Sequence, residues 1–269
     1  MNPAVTFMRL GKLGRLGNCL HQIAATVGIA RMVDRSVVLP PWEYSPFFSI
    51  PEDWFAEWGD PRLSQAEDSV ALACGLWPDP KPALRWVQYL QSPSLWAGSA
   101  DEVRAIFRPS ARAQAVLDAL PEPEADDVAV HVRRGDYLTM PDHLPVQDLG
   151  YYIRAATAVE QEAFGRDRTP SYRLNFHVYG DDREWMASHD LPWSWRATPP
   201  YAPDDEPTDW LDLFRMARYR NLIIANSSYS FWSAVLAGPD AFVCCPSPWF
   251  GPKIDVASPA LPEWIEVAA

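Results

Sequence analysis

Apolar residues recur along this chain first at one spacing and then at another, and the alternation predicts a parallel α/β protein. Residues 5–10 read as a short strand that runs into a loop carrying Gly11, Gly14 and Gly17 before Asn18. Leu20, Ile23, Ala24, Val27, Ile29 and Ala30 then repeat at helical spacing as far as Val33. Residues 36–39 form a second expected strand, closed by Pro40 and Pro41. Residues 42–98 are irregular and rich in Trp and Pro, with a strand expected over 86–90. Helical spacing returns over 101–107 and 111–120.

Residues 121–127 hold two prolines and four acids, which marks a boundary. Two domains are therefore expected, 1–120 and 127–269. The second alternates more cleanly. Strands are expected at 127–132, 175–179, 222–225 and 241–245. Helices are expected at 150–164, from 181 to 188, at 208–219 and at 228–236. Strands alternating with helices in this way build βαβ units and a parallel sheet.

Composition narrows the function. A chain of 269 residues can bury a substantial core. Its net charge of -12 disfavours a nucleic-acid or anionic-membrane surface. Cysteines at 19, 74, 244 and 245 have neither disulfide-framework nor zinc spacing. The first ten residues are too poor in apolar side chains for a signal peptide or anchor, so a cytoplasmic, reduced protein is expected.

The chemistry concentrates in three loops that follow strands, the edge where open α/β sheets bind ligands. The first is His131-Val132-Arg133-Arg134-Gly135-Asp136-Tyr137. Arginine offers a planar, permanently charged fork suited to phosphate oxygens. A plain surface ion pair would use the same residues. The second, Tyr179-Gly180-Asp181-Asp182, puts two acids at a helix start. Such a carboxylate can cap the helix, accept from the N–H edge of guanine, or hold a metal. The third runs Asn226-Ser227-Ser228-Tyr229-Ser230-Phe231. Free backbone N–H groups, hydroxyls and the positive end of a helix dipole make a phosphate cradle there, and a serine helix cap is compatible with it. The glycines at 11, 14 and 17 miss the dinucleotide fingerprint, and no phosphate-loop motif of ATPases or GTPases is present. Together the three loops describe a nucleotide-diphosphate pocket.

Order and spacing of these motifs resemble glycosyltransferase family 11, the alpha-1,2-fucosyltransferases. Gly14-Arg15-Leu16-Gly17-Asn18 matches the family's N-terminal loop, with Cys19 where glutamine is usual. Residues 131–137 match H-x-R-R-G-D-Y in full, and Tyr151-Tyr152-Ile153-Arg154-Ala155 matches the helix after it. Gly180-Asp181-Asp182-Arg183-Glu184-Trp185 and the stretch from Ile223 to Trp232 match the last two motifs. The resemblance implies a GT-B architecture with the donor site in the inter-domain cleft. It implies GDP-fucose as donor, a glycan acceptor, inversion at the anomeric carbon and no metal or other cofactor. Carried onto this chain, Arg133 and Arg134 become candidates for the diphosphate and Asp136 for their orientation or for a base. His131 would face the nucleotide, Asp181 or Asp182 the guanine, and Ser227, Ser228, Tyr229, Ser230 and Phe231 the phosphates. Gly17, Asn18 and Asn226 complete the implied donor set. A related enzyme using another nucleotide sugar and a non-catalytic nucleotide-sugar binder are the alternatives.

Overall fold

A computed structural model describes residues 3–76, 89–164, 174–182, 184–185, 188–189, 195–197 and 208–269. The chain divides into two compact units, Met1–Ala119 and Leu120–Ala269.

In the first unit, β1 (Val5–Thr6) pairs in parallel with β2 (Glu67–Asp68). The strand expected at 36–39 appears only as single bridges, Val5 to Val37 and Leu39 to Phe55. Pro40 and Pro41 follow it at once, and proline donates no ladder hydrogen bond. Helix α1 (Leu16–Met32) begins four residues before the expected start at Leu20, so Gly17 and Asn18 lie in its first turn rather than in the loop. Every residue from Leu16 to Ala30 except Asn18 is buried, the mark of a helix enclosed on all sides. Helices α2 (Pro61–Ser64), α3 (Ser69–Leu76), α4 (Ala100–Ile106) and α5 (Ala111–Asp118) follow among the described residues. Thr26 ties α1 to α3 through a hydrogen bond from its Oγ1 to Ser69 Oγ, 3.2 Å. The strand expected at 86–90 falls largely outside the described residues; Tyr89 and Leu90 are in a turn.

Among the described residues, the second unit forms a six-stranded parallel sheet. In chain order come β3 (Asp127–Val132), α6 (Leu149–Phe164), β4 (Asn175–Gly180), β5 (Trp195–Ala197) and α7 (Asp209–Met216). They are followed by β6 (Asn221–Ile223), α8 (Ser228–Ala237), β7 (Phe242–Ser247) and β8 (Ile265–Ala268). The strands lie in the order β5-β4-β3-β6-β7-β8, so the chain reverses direction across the sheet between β3 and β6. That is the doubly wound order, and its switch point is where such sheets bind ligands.

The core explains the register. Val128, Val130 and Val132 of β3 share one face with Phe176 and Val178 of β4, and Tyr151, Tyr152, Ala155, Ala156 and Val159 of α6 cover it. Two tyrosine hydroxyls then pin the helix to the sheet. Tyr151 donates to the Ile224 carbonyl at 2.5 Å and Tyr152 to the His131 carbonyl at 3.2 Å. The expected strand at 222–225 is shorter, because Ser227 N–H turns back onto the Ala225 carbonyl at 2.7 Å and takes the chain out of the ladder. Of the helix expected from Asp181, Glu184 and Trp185 are helical among the described residues. The edge strands β5 and β8 were not expected. In β8 only Val267 is buried, too little to leave a pattern.

Gly28 supplies a test of the first unit. A β-carbon there would stand 2.0 Å from the Leu95 carbonyl oxygen, where α1 crosses the 3₁₀ turn Pro93–Leu95. Helix propensity alone would favour alanine by about 1 kcal/mol. Overpacking against a fixed carbonyl costs more, on the order of 1–3 kcal/mol. Gly28→Ala is therefore expected to lower the urea midpoint, and a raised midpoint would contradict the packing described.

Candidate functional site

β3 ends at Val132, and Arg133 and Arg134 leave its carboxyl end beside β4 and β6. Two adjacent guanidinium groups, each less than a fifth exposed, need compensation. Arg133 pairs with Asp136 in its own loop, and its Nη1 lies 2.5 Å from Asp181 Oδ2. Its guanidinium also covers the Tyr137 ring at 5.3 Å. Arg134 donates its backbone N–H to Asp181 Oδ1 at 2.9 Å and its Nε to Asp182 Oδ2 at 3.0 Å. One carboxylate thus fixes both arginines. Gly135 makes this approach possible, since a β-carbon there would stand 2.5 Å from Asp181 Oδ2.

Asp182 has two partners of its own. Its Oδ1 accepts the backbone N–H of Trp185 at 2.9 Å, while Oδ2 faces Arg134. These bonds hold its carboxyl below the usual range, the Trp185 amide most strongly. All four aspartate oxygens thus already face protein donors, and a nucleobase reader or a cation here would have to share them with two arginines.

The third loop packs against the first. Tyr137 donates its hydroxyl to the Asn226 carbonyl at 3.1 Å, and burial pushes that phenol up to about 12. Ser227 caps α8 by accepting the Tyr229 N–H at 3.3 Å, which leaves Ser228 half-buried at the first helical position. His131 lies beneath, its ring 5.5 Å from that of Tyr229. It is only 5% exposed, and its Nδ1 has no hydrogen-bond partner among the described residues. Burial, seconded by the Arg133 charge, lowers its pKa to about 3. A neutral imidazole with an unused nitrogen thus lies between the arginine loop and the helix start.

The remaining sequence candidates divide. Ser230 is fully buried and spends its hydroxyl on the Ala225 and Ser227 carbonyls. Phe231 is fully buried, packed against Trp232, Trp249 and Trp264. Asn226 donates to the Pro145 and Trp249 carbonyls, each at 3.0 Å, and accepts from Gln147 at 3.2 Å. Its side chain therefore ties loops together and has no hydrogen left for a ligand. Gly17 and Asn18 belong to the first unit, where Asn18 Oδ1 accepts from Gln91 at 2.7 Å. Sequence reasoning missed Trp185, Tyr137 and Gln147. Trp185 and Tyr137 stood inside the quoted motifs, but no local spacing says what they touch.

The profile of glycosyl transferase family 11 matches residues 84–268. The chain belongs to that family. It is 26% identical to an Escherichia coli alpha-1,2-colitosyltransferase over 195 residues, which cover 70% of this chain and 63% of that protein. It is 30% identical to the Escherichia coli O-antigen biosynthesis glycosyltransferase WbnK over 136 residues, 47% of this chain and 40% of that one. The match thus spans less than two thirds of either relative. Among solved structures, POFUT1 in complex with GDP-fucose superposes with a TM-score of 0.53 at 13% identity, covering 91% of this chain and 97% of that one. NodZ alpha-1,6-fucosyltransferase soaked with GDP-fucose gives 0.50 at 16% identity, covering 88% and 93%. The fold class is accordingly α/β and GT-B-like, with parallel sheets. No helix among the described residues is long and apolar enough to cross a membrane.

The state of His131 can be measured. The unfolded chain protonates this ring near its ordinary 6.5 and the folded one only near 3, so stability is lost as pH falls between those values. Nitrogen NMR of the His131 ring should report a neutral imidazole at pH 5 in folded protein. A protonated ring at that pH would overturn the burial argument.

Proposed function

We propose that this family member is an inverting glycosyltransferase that moves L-fucose from GDP-fucose to the 2-hydroxyl of a galactose in a glycan acceptor. The observation that carries the reading is the pair Arg133 and Arg134. They are fixed by Asp136, Asp181 and Asp182 at the switch point of the sheet, beside the start of α8. The family membership and the motifs at 131–137 and 223–232 support it.

In this reading the acceptor oxygen attacks the anomeric carbon from the face opposite GDP. The bond from that carbon to the diphosphate oxygen breaks with its electron pair, and charge grows on the β-phosphate through an oxocarbenium-like transition state. Fixed donors aimed at developing charge contribute most of such catalysis, about 3–4 kcal/mol each. The two terminal nitrogens of Arg134 have no partner among the described residues and are left to meet the leaving group. Backbone N–H groups and the dipole of α8 add to the cradle. Asp136, nearly half exposed and paired with Arg133, is the acid placed to take the hydroxyl proton or to orient the arginine. Asp181 and Asp182 act chiefly by holding the arginines, and guanine reading by either is secondary. The colitosyltransferase relative favours one second reading: the same chemistry with GDP-colitose, the 3-deoxy counterpart of GDP-fucose, as donor.

Arg133→Ala and Arg134→Ala should each lower kcat by about a hundredfold or more in protein whose circular dichroism still shows the fold, with a lowered melting temperature from the unpaired aspartates. Product analysis with GDP-fucose and with GDP-colitose, each offered with a panel of galactosides, identifies the donor. Unchanged transfer in both variants would remove the arginines from the reaction. Transfer should also persist in excess chelator, because the paired acids already face guanidinium groups. Loss with EDTA and recovery with manganese would assign those acids to a metal instead.

A further inference from the structure

Arg134 is held on more sides than its ion pair requires. Its guanidinium carbon lies 4.5 Å from the centroid of the Trp185 ring. The backbone N–H of Trp185 is bound by Asp182 Oδ1, and the other oxygen of that carboxylate is bound by Arg134 Nε. Arg134, Asp182 and Trp185 therefore close a three-membered cycle of stacking, ion pair and helix-start hydrogen bond. The Trp185 ring is backed in turn by Tyr152, 6.2 Å away between centroids, and packs on the α6 face of the core. Tyr152 itself donates to the His131 carbonyl, two residues before Arg133. The ring of His189 lies 4.4 Å from that of Trp185 and donates its Nδ1–H to the Trp185 carbonyl at 2.7 Å.

We propose that Trp185 is a positioning residue that orients the Arg134 guanidinium for the leaving diphosphate. Arginine is long and loses much rotamer freedom when held in one place. A salt bridge through Nε alone leaves the plane of the fork free to tilt. Stacking on an indole face sets that plane, and trades hydration of the cation for contact with the negative face of the ring. With Nε engaged and the plane set, the terminal nitrogens keep one direction without being consumed by protein acceptors. That is preorganisation, and its benefit falls on the transition state, where charge on the phosphate is greatest. Asp182 also binds the Trp185 backbone N–H, so one carboxylate holds both the backbone that carries the ring and the Nε of Arg134.

The inference rests on the proposed diphosphate contact, and its test has one arm that does not. In proton–nitrogen NMR of the whole chain, the Arg134 Nε–H should be ring-current shifted and slow to exchange with solvent. Trp185→Phe should keep part of that shift and Trp185→Leu should abolish it. An unshifted Arg134 Nε–H in wild-type protein would overturn the stacking whatever the enzyme transfers. In the second arm, transfer rates are normalised to GDP-binding sites counted by calorimetry. Trp185→Leu should lower kcat by about tenfold or more with acceptor KM unchanged, and Trp185→Phe should stay within about threefold of wild type. Arg134→Lys, which keeps charge but not the plane, should match Trp185→Leu and guards against a folding defect in the latter. Equal kcat in Trp185→Leu and wild type would overturn positioning. Failure of wild-type protein to bind GDP would remove the donor reading while leaving the NMR result to stand.

Discussion

Two neighbouring arginines at the end of a buried strand are the constraint around which the second unit is arranged. β3 must be apolar on the face under α6, because Val128, Val130 and Val132 are enclosed there. Where the strand ends, Arg133 and Arg134 place two like charges side by side with little water. Charges in that position are tolerated only when paired and hydrogen-bonded. The neighbouring strand meets the requirement: β4 delivers Asp181 and Asp182 to the same level because Val132 is in register with Gly180. Parallel pairing thus places both ends of the ion-pair network at the same edge of the sheet.

The arrangement keeps donors available by spending acceptors. Asp181 uses one oxygen on Arg133 and the other on the Arg134 amide, and Asp182 divides its oxygens between Arg134 and Trp185. Arg133 spends both terminal nitrogens on Asp136 and Asp181, whereas Arg134 meets Asp182 through Nε. His131 adds a polar group without adding charge, since burial keeps its ring neutral. The positive charge at the strand end therefore comes from arginines alone and does not change across physiological pH.

The loop after β6 is built by different means. Asn226 bridges the carbonyls of Pro145 and Trp249 and takes the amide of Gln147, so loops from three parts of the chain meet on one side chain. Tyr137, from the arginine loop, reaches the Asn226 carbonyl. The start of α8 is thereby held in place relative to Arg133 and Arg134. Ser230 and Phe231 point into the protein to anchor the helix rather than to meet a ligand.

Local pattern was enough for the parts of this protein whose partners lie nearby. β3 was legible to the residue at 127–132, because an alternating apolar strand bounded by an acidic turn and an Arg-Arg pair has one reading. Helices α6 and α8 were legible to within a residue or so, since their apolar spacing and the serine at 227 are local signals. The three candidate loops could be placed at strand ends for the same reason. What the sequence could not determine is who faces whom. Asp181 lies 47 positions from Arg134, and only the register of β4 on β3 brings them together. Edge strands β5 and β8 bury too little to leave a period, and Pro40 ended the ladder expected at 36–39. Trp185 showed as an aromatic in a motif, but its place under Arg134 depends on Tyr152 and the core behind it. Side-chain direction is a tertiary property: it is decided by which neighbour fills the space, and those neighbours come from distant parts of the chain.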